Sequence, residues 1–106
     1  MKAANLNTSS FDETLVSSAQ PVLVDFHAEW CGPCRMLGPV IDRIASDPAT
    51  NAVVAKVNID EAPELAARFG ITSIPTLIVF KDGQPVASAR GAQSESAIRE
   101  LIFRAA

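Results

Sequence analysis

The sequence predicts an α/β domain in which a central mixed sheet of four to five strands ends in an antiparallel hairpin and is flanked by four helices. Three observations predict it. Short β-branched, apolar runs at 22–26, 52–59 and 76–80 alternate with segments whose apolar residues recur at helical spacing. Helices between the first runs allow right-handed crossovers, which make those strands parallel and put helices on both faces. The last two runs are joined by Asp82-Gly83, a hairpin signal, so that edge is antiparallel. At 106 residues, 48% hydrophobic and 20% charged, the chain reads as a single folded domain over 1–106 without linker or repeat.

Each element has its own signals. The pattern over 3–6 is compatible with a short first strand without establishing it. Ser10-Phe11-Asp12-Glu13 reads as a capping box with Ser10 at the cap, followed by Phe11, Leu15 and Ala19 at helical spacing and closed by Pro21. Residues 22–26 are apolar except for Asp25, as in a strand buried on both faces. Leu37, Val40, Ile41, Ile44 and Ala45 then mark an amphipathic helix ending near Asp47-Pro48, with a kink expected at Pro39. After the buried strand 52–59, Asp60 is the expected cap of a helix with Pro63 in its first turn and Gly70 as its stop. The strand 76–80 turns through Lys81-Asp82-Gly83-Gln84 and returns as 86–90. Ser94 caps a closing helix whose apolar residues are Ile98, Leu101, Ile102 and Ala105.

Composition excludes several functions. A net charge of -3 and a pI near 5.0 argue against nucleic acid or an anionic membrane as partner, because both require a basic face. No apolar run approaches the roughly 18 residues of a membrane span. The opening residues 1–7 turn polar where a signal peptide would be apolar, so a soluble, cytoplasmic protein is expected. The only cysteines, Cys31 and Cys34, form one Cys-x-x-Cys. A bridge across two residues removes little entropy from the unfolded chain, so chemistry explains the pair better than stability does.

That pair falls where a buried strand hands over to an amphipathic helix. Unpaired amides and the positive end of the helix dipole favour a thiolate at Cys31, and Pro33 suits the first turn. Trp30 and Gly32 are expected to leave Cys31 on an exposed lip, with Cys34 more covered. Cys31 would attack a partner's disulfide, and Cys34 would then attack Cys31, which requires a base to take the Cys34 proton. Asp25 is the candidate. A lone strand carboxylate commonly faces solvent, but here the apolar flanks and the adjoining cysteines argue for burial, with Lys56 as counter-charge. Two thiolates and His27 offer three ligands where structural zinc takes four, so no metal is assigned.

The segment from Val24 through Asp25, Phe26, His27, Ala28, Glu29 and Trp30 to Cys31-Gly32-Pro33-Cys34-Arg35 resembles the active-site segment of the thioredoxin family. Lys56-Val57-Asn58-Ile59-Asp60, Phe69-Gly70-Ile71, Ile74-Pro75-Thr76, Phe80-Lys81-Asp82-Gly83 and Gly91-Ala92 extend the likeness, in order, over nearly the whole chain. The resemblance implies the thioredoxin fold and a protein-disulfide reductant and electron carrier with no bound cofactor, recharged by a thioredoxin reductase. It implies Cys31 as nucleophile, Cys34 as resolving thiol, Asp25 as assisting acid with Lys56 nearby, and a cis Pro75 facing the cysteines. It also implies that the Ile74 backbone pairs with an extended substrate segment. Trp30, Gly32, Pro33, Ile59, Ile74, Gly91 and Ala92 would form a shallow apolar contact surface. A monomer is expected, and protein disulfides are the expected substrates.

Two residues depart from the family pattern. His27 stands where an aromatic, commonly Trp, is usual, and by alternation it shares a face with Asp25. It reads either as packing in place of an indole or as an imidazolium that favours the Cys31 thiolate. Arg35 replaces a common Lys and keeps the charge. Ser73 and Arg90 flank the expected substrate lip. An oxidase or isomerase on the same fold and a non-catalytic binding module are the competing functions. Gly32-Pro33 between the cysteines resembles reductants, and intact Cys31, Cys34 and Asp25 argue against pure scaffolding.

Overall fold

Alternation along the second strand divides the interior into two cores. A computed structural model describes residues 3–106. The elements are β1 (Ala4–Leu6), α1 (Thr8–Ser17), β2 (Val22–His27), α2 (Gly32–Ser46), β3 (Val53–Asn58), α3 (Pro63–Arg68), β4 (Thr76–Lys81), β5 (Gln84–Arg90) and α4 (Glu95–Ala105). The five-stranded sheet has the order β1-β3-β2-β4-β5. β1 and β2 run parallel to β3, whereas β4 runs antiparallel to both β2 and β5. The short first strand is therefore present, and β2 is central.

Leu23, Leu77 and Val79 pack under α2 and α4 against Leu37, Ile41, Ile44, Ile98 and Leu101. Val22, Val24, Phe26, Ile78 and Phe80 face α1 and α3, meeting Phe11, Leu15 and Leu65. On that second face Phe69 lies 5.2 Å from Phe80 and 5.5 Å from Phe11 between ring centroids. Because successive strand residues alternate faces, Asp25 and His27 share the α2 side with Leu23. A charged position is thus placed under the helix that carries the cysteines.

Two expected helix starts are corrected. α1 is capped by Asn7, whose side chain accepts the Ser10 N–H at 2.9 Å, while Ser10 Oγ accepts the Asn7 N–H at 3.0 Å. Ser10 is thus the reciprocal partner in the box, not the cap. Asn caps as well as Ser does, and it begins the helix one turn earlier. Ala19 lies beyond the helix end. α3 begins after Ala62 with no side-chain cap, and Asp60 sits too early, in the turn after β3. Its far end follows expectation. Gly70 at φ 64° carries a Schellman closure, Gly70 N–H to Ala67 O at 3.2 Å and Ile71 N–H to Ala66 O at 2.9 Å. The hairpin turn has φ 53° at Asp82 and 79° at Gly83, the positive pair a type I′ turn requires. α2 continues through Pro39 from Gly32 to Ser46, and Ser94 caps α4 by accepting the Ala97 N–H.

Candidate active site

Four strand ends meet at one edge of the sheet. β2 and β3 finish there, β4 starts there, and the Thr76–Arg90 pairing brings the end of β5 alongside. Cys31 is the N-cap of α2, and Pro33 lies in that helix's first turn. The Cys34 N–H donates to Cys31 Sγ at 3.2 Å, so an otherwise unpaired helix amide points at the sulfur. A donor at that position, with the helix dipole behind it, stabilises negative charge on Cys31 when the bridge is open. Cys31 and Cys34 are joined in a disulfide with a Cα–Cα separation of 5.2 Å. Their exposures are 5% and 4%, so the expected difference in coverage is not seen in this bridged form. The bridge ties Cys31 to the helix, and Ile74 covers it from the other side.

The carbonyl oxygen of Ile74 lies 3.8 Å from Cys31 Sγ, and the Ile74–Pro75 peptide is cis. Pro75 O accepts the Gly91 N–H at 2.8 Å, which holds Gly91 beside the same loop. Pro33 and Ala92 line one shallow groove, together with Met36 and Gln93. Ile59 is tied to the end of β2 by its N–H to His27 O at 2.9 Å. Ser73 and Arg90 are both exposed. Trp30 is 67% exposed, and its indole N–H donates to Asp60 Oδ2 at 2.8 Å. Asp60 therefore orients the aromatic beside Cys31. Asp60→Ala should free the indole, lowering Trp30 fluorescence anisotropy and slowing attack on protein disulfides severalfold. Because the bond is exposed, the stability lost should not exceed about 1 kcal/mol.

Asp25 is 1% exposed, and its Oδ1 has no hydrogen-bond partner in the protein. Burial pushes its carboxyl up to about 7, opposed by the positive charge of Lys56 and reinforced by the negative charge of Asp42. Lys56 is the β3 residue in register with Asp25, and its positive charge favours the ionised carboxyl, as expected of a counter-charge. Its Nζ makes an ion pair with Asp42 Oδ1 at 3.3 Å. Asp42 lies partly exposed on α2, so this ion pair forms at the edge of the interior rather than within it. A buried carboxyl that titrates near neutrality can exchange a proton with a thiol.

His27 follows Asp25 on the same face and lines an open cleft of about 400 Å³ with Cys34, Arg35, Gly38 and Lys56. Burial lowers its pKa, and Lys56 lowers it further, against the opposing pull of Glu61 and Glu29. Burial and Lys56 both disfavour the charged ring and weigh toward the packing reading over the imidazolium one. Its Nε2 is buried without a partner. Sequence reasoning missed Asp60 as the Trp30 partner, Asp42 as the Lys56 partner and Gly38 as a cleft residue. Asp60 read locally as a helix cap, and the other two become neighbours only when α2 packs on β3. Among the described residues no group of three or more His, Cys, Asp or Glu could hold a metal ion.

A family model described as Thioredoxin matches residues 2–104. The thioredoxin of Mycobacterium tuberculosis is 53% identical over 94 residues, covering 88% of this chain and 81% of that protein. Thioredoxin 1 of Synechococcus elongatus is 48% identical over 100 residues, covering 94% of each. The chain belongs to the thioredoxin family. A mutant thioredoxin from Halobacterium salinarum has the same fold, with a TM-score of 0.89 at 38% identity over 97% of this chain and 89% of that one. Its mixed sheet and flanking helices are thus the thioredoxin fold, and its chemistry is dithiol–disulfide exchange between Cys31 and Cys34, that of a protein-disulfide oxidoreductase. The family implies disulfide-bearing substrates and a thioredoxin reductase. No helix among the described residues is long and apolar enough to cross a membrane.

Proposed function

We propose that the protein is a general reductant of protein disulfides, an electron carrier in which Cys31 attacks, Cys34 resolves and Asp25 handles the proton. The observation that carries this reading is the Cys34 amide aimed at Cys31 Sγ, beside a buried carboxyl on the face under the same helix. The Cys31 thiolate attacks one sulfur of a partner disulfide, forming a mixed disulfide and expelling one partner thiolate. Cys34 gives its proton to Asp25 and attacks Cys31, closing the Cys31–Cys34 bridge and releasing the second partner thiolate. Two electrons pass to the partner, and no bound cofactor is needed because the dithiol carries both.

Supporting residues surround this step. Gly32 and Pro33 shape the helix start, Lys56 tempers the Asp25 charge through space, and Pro75 presents Ile74 to the sulfur. An extended substrate segment pairs with the Ile74 backbone across a surface made by Trp30, Ile59, Gly91 and Ala92. The exposed indole and the shallow apolar groove support this reading. The working protein is a single domain over 1–106, a cytoplasmic monomer recharged by a thioredoxin reductase. With a net charge of -3, it binds neither nucleic acid nor membrane.

The direction of electron flow is tested by equilibrating the Cys31–Cys34 pair with a glutathione buffer at pH 7 and reading Trp30 fluorescence. Each 30 mV corresponds to about 1.4 kcal/mol for a two-electron couple. A potential well below that of the glutathione pool is expected, since Gly32-Pro33 resembles reductants. A potential well above it makes the protein a disulfide donor, an oxidase or isomerase.

A further inference from the structure

Among the described residues, two side chains that are not exposed bury a polar atom that meets no hydrogen-bond partner: Asp25 Oδ1 and His27 Nε2. They belong to successive same-face positions of β2, with Cα atoms roughly 6.6 Å apart along the strand. An unpaired buried polar atom destabilises the fold, and an apolar ring at 27 would avoid one of the two. The imidazole is half-buried, with Nε2 inside and the ring lining the open cleft that Cys34 also lines. It therefore spans from the interior, where Asp25 lies, to solvent.

We propose that His27 is the proton outlet of the site, carrying the proton that Asp25 takes from Cys34 out to the cleft. The inference rests on the reading of Asp25 as the base for Cys34. In the closing step the Cys34 thiol loses its proton to the Asp25 carboxylate, and the thiolate attacks Cys31. The Asp25 carboxyl then passes that proton to His27 Nε2 through a water between them, since the two atoms do not meet directly, and the imidazolium releases its Nδ1 proton to the cleft. No electrons move in the relay; Asp25 ends as the carboxylate, and the imidazole ends as its other neutral tautomer, with the proton on Nε2, which resets by proton exchange with water. A neutral imidazole is needed, since only its free ring nitrogen accepts a proton. The charged and titratable groups around the ring are Lys56 on β3, Cys34 and Arg35 on α2, Glu29 before α2 and Glu61 after β3, with Asp25 two residues back on the same face of β2. Burial and Lys56 favour the neutral ring, while Glu61 and Glu29 favour the imidazolium. His27 acts through Asp25 and is a positioning residue for the proton.

The test is stopped-flow oxidation of the reduced protein by a saturating small disulfide, followed by Trp30 fluorescence, so that closing by Cys34 limits the rate. His27→Phe fills the space without a titratable nitrogen, and His27→Ala leaves room in the cleft. Both should slow closing about tenfold near neutral pH, less than the 10²–10⁴ of direct acid–base catalysis. The rate of Cys31 alkylation and the redox potential should not change. Added imidazole should restore His27→Ala and leave His27→Phe slow. Closing at the native rate in His27→Phe overturns the proposal, as does a slow His27→Ala that imidazole leaves slow. Asp25→Asn in the same assay separates the two readings. If it closes at the native rate, the assignment of Asp25 as base falls and the relay with it. If it is slow while His27→Phe is native, only the relay falls.

Discussion

Asp25→Asn should stabilise the protein by about 2–4 kcal/mol at pH 8.5 and by well under about 1 kcal/mol at pH 4, while slowing disulfide closing about a hundredfold. The folded-state pKa is about 7 against an ordinary value of 3.8, so the folded protein holds this proton more tightly than the unfolded chain does. Between those values the unfolded chain ionises Asp25 first, and stability falls as pH rises through the window. Above about 7 both states are ionised and the loss is complete. Three pKa units correspond to about 4 kcal/mol. An amide removes the charge but keeps a polar group buried, so part of that gain is forfeited. Denaturant melts at the two pH values, on oxidised protein, read the difference. An equal gain at both, or a loss at pH 8.5, would mean that the carboxyl is paired and is not the group that burial raises.

Cys34→Ser should reduce turnover to background and leave about one partner thiol bound per chain as a mixed disulfide on Cys31. The Cys34 amide that stabilises the Cys31 thiolate belongs to the backbone and survives the substitution, so the first attack proceeds. A serine hydroxyl cannot attack the mixed disulfide, and the adduct persists until external thiol is added. Cys31→Ser should form no adduct, because Cys34 lies inside the helix and has no comparable donor aimed at it. Mass spectrometry of the chain after exposure to a disulfide-bearing protein reads both variants. Adducts on Cys31→Ser and none on Cys34→Ser would reverse the roles of the two thiols. Little stability is lost with the bridge, which closes a loop of two intervening residues.

Much of this site lies within short stretches of chain and was legible there. The Trp30–Cys34 run carries the thiols, the proline of the first turn and the aromatic in contiguous sequence. The helix start that orients them follows from local rules of capping and dipole. Local rules erred where two residues competed for one job. Asn7 and Ser10 can both cap α1, and the box is reciprocal between them, so the sequence motif alone did not say which was the cap. Asp60 has the chemistry of a cap, yet it serves the indole of Trp30 because the loop before α2 folds across the end of β3.

The sequence by itself determined the redox pair, the order of strands and helices, and the burial of Asp25, since periodicity and local backbone chemistry act over a few residues. Only the tertiary structure decided which side chains meet across elements. Packing of α2 on β3 brings the Lys56 ammonium to Asp42 and leaves Asp25 Oδ1 without a hydrogen-bond partner. The pairing of β4 with β5 sets Gly91 against Pro75, and the same fold closes Ile74 over Cys31. Ion pairs and loop contacts of this kind depend on distances between residues far apart in the chain, and those distances exist only once the two cores have formed.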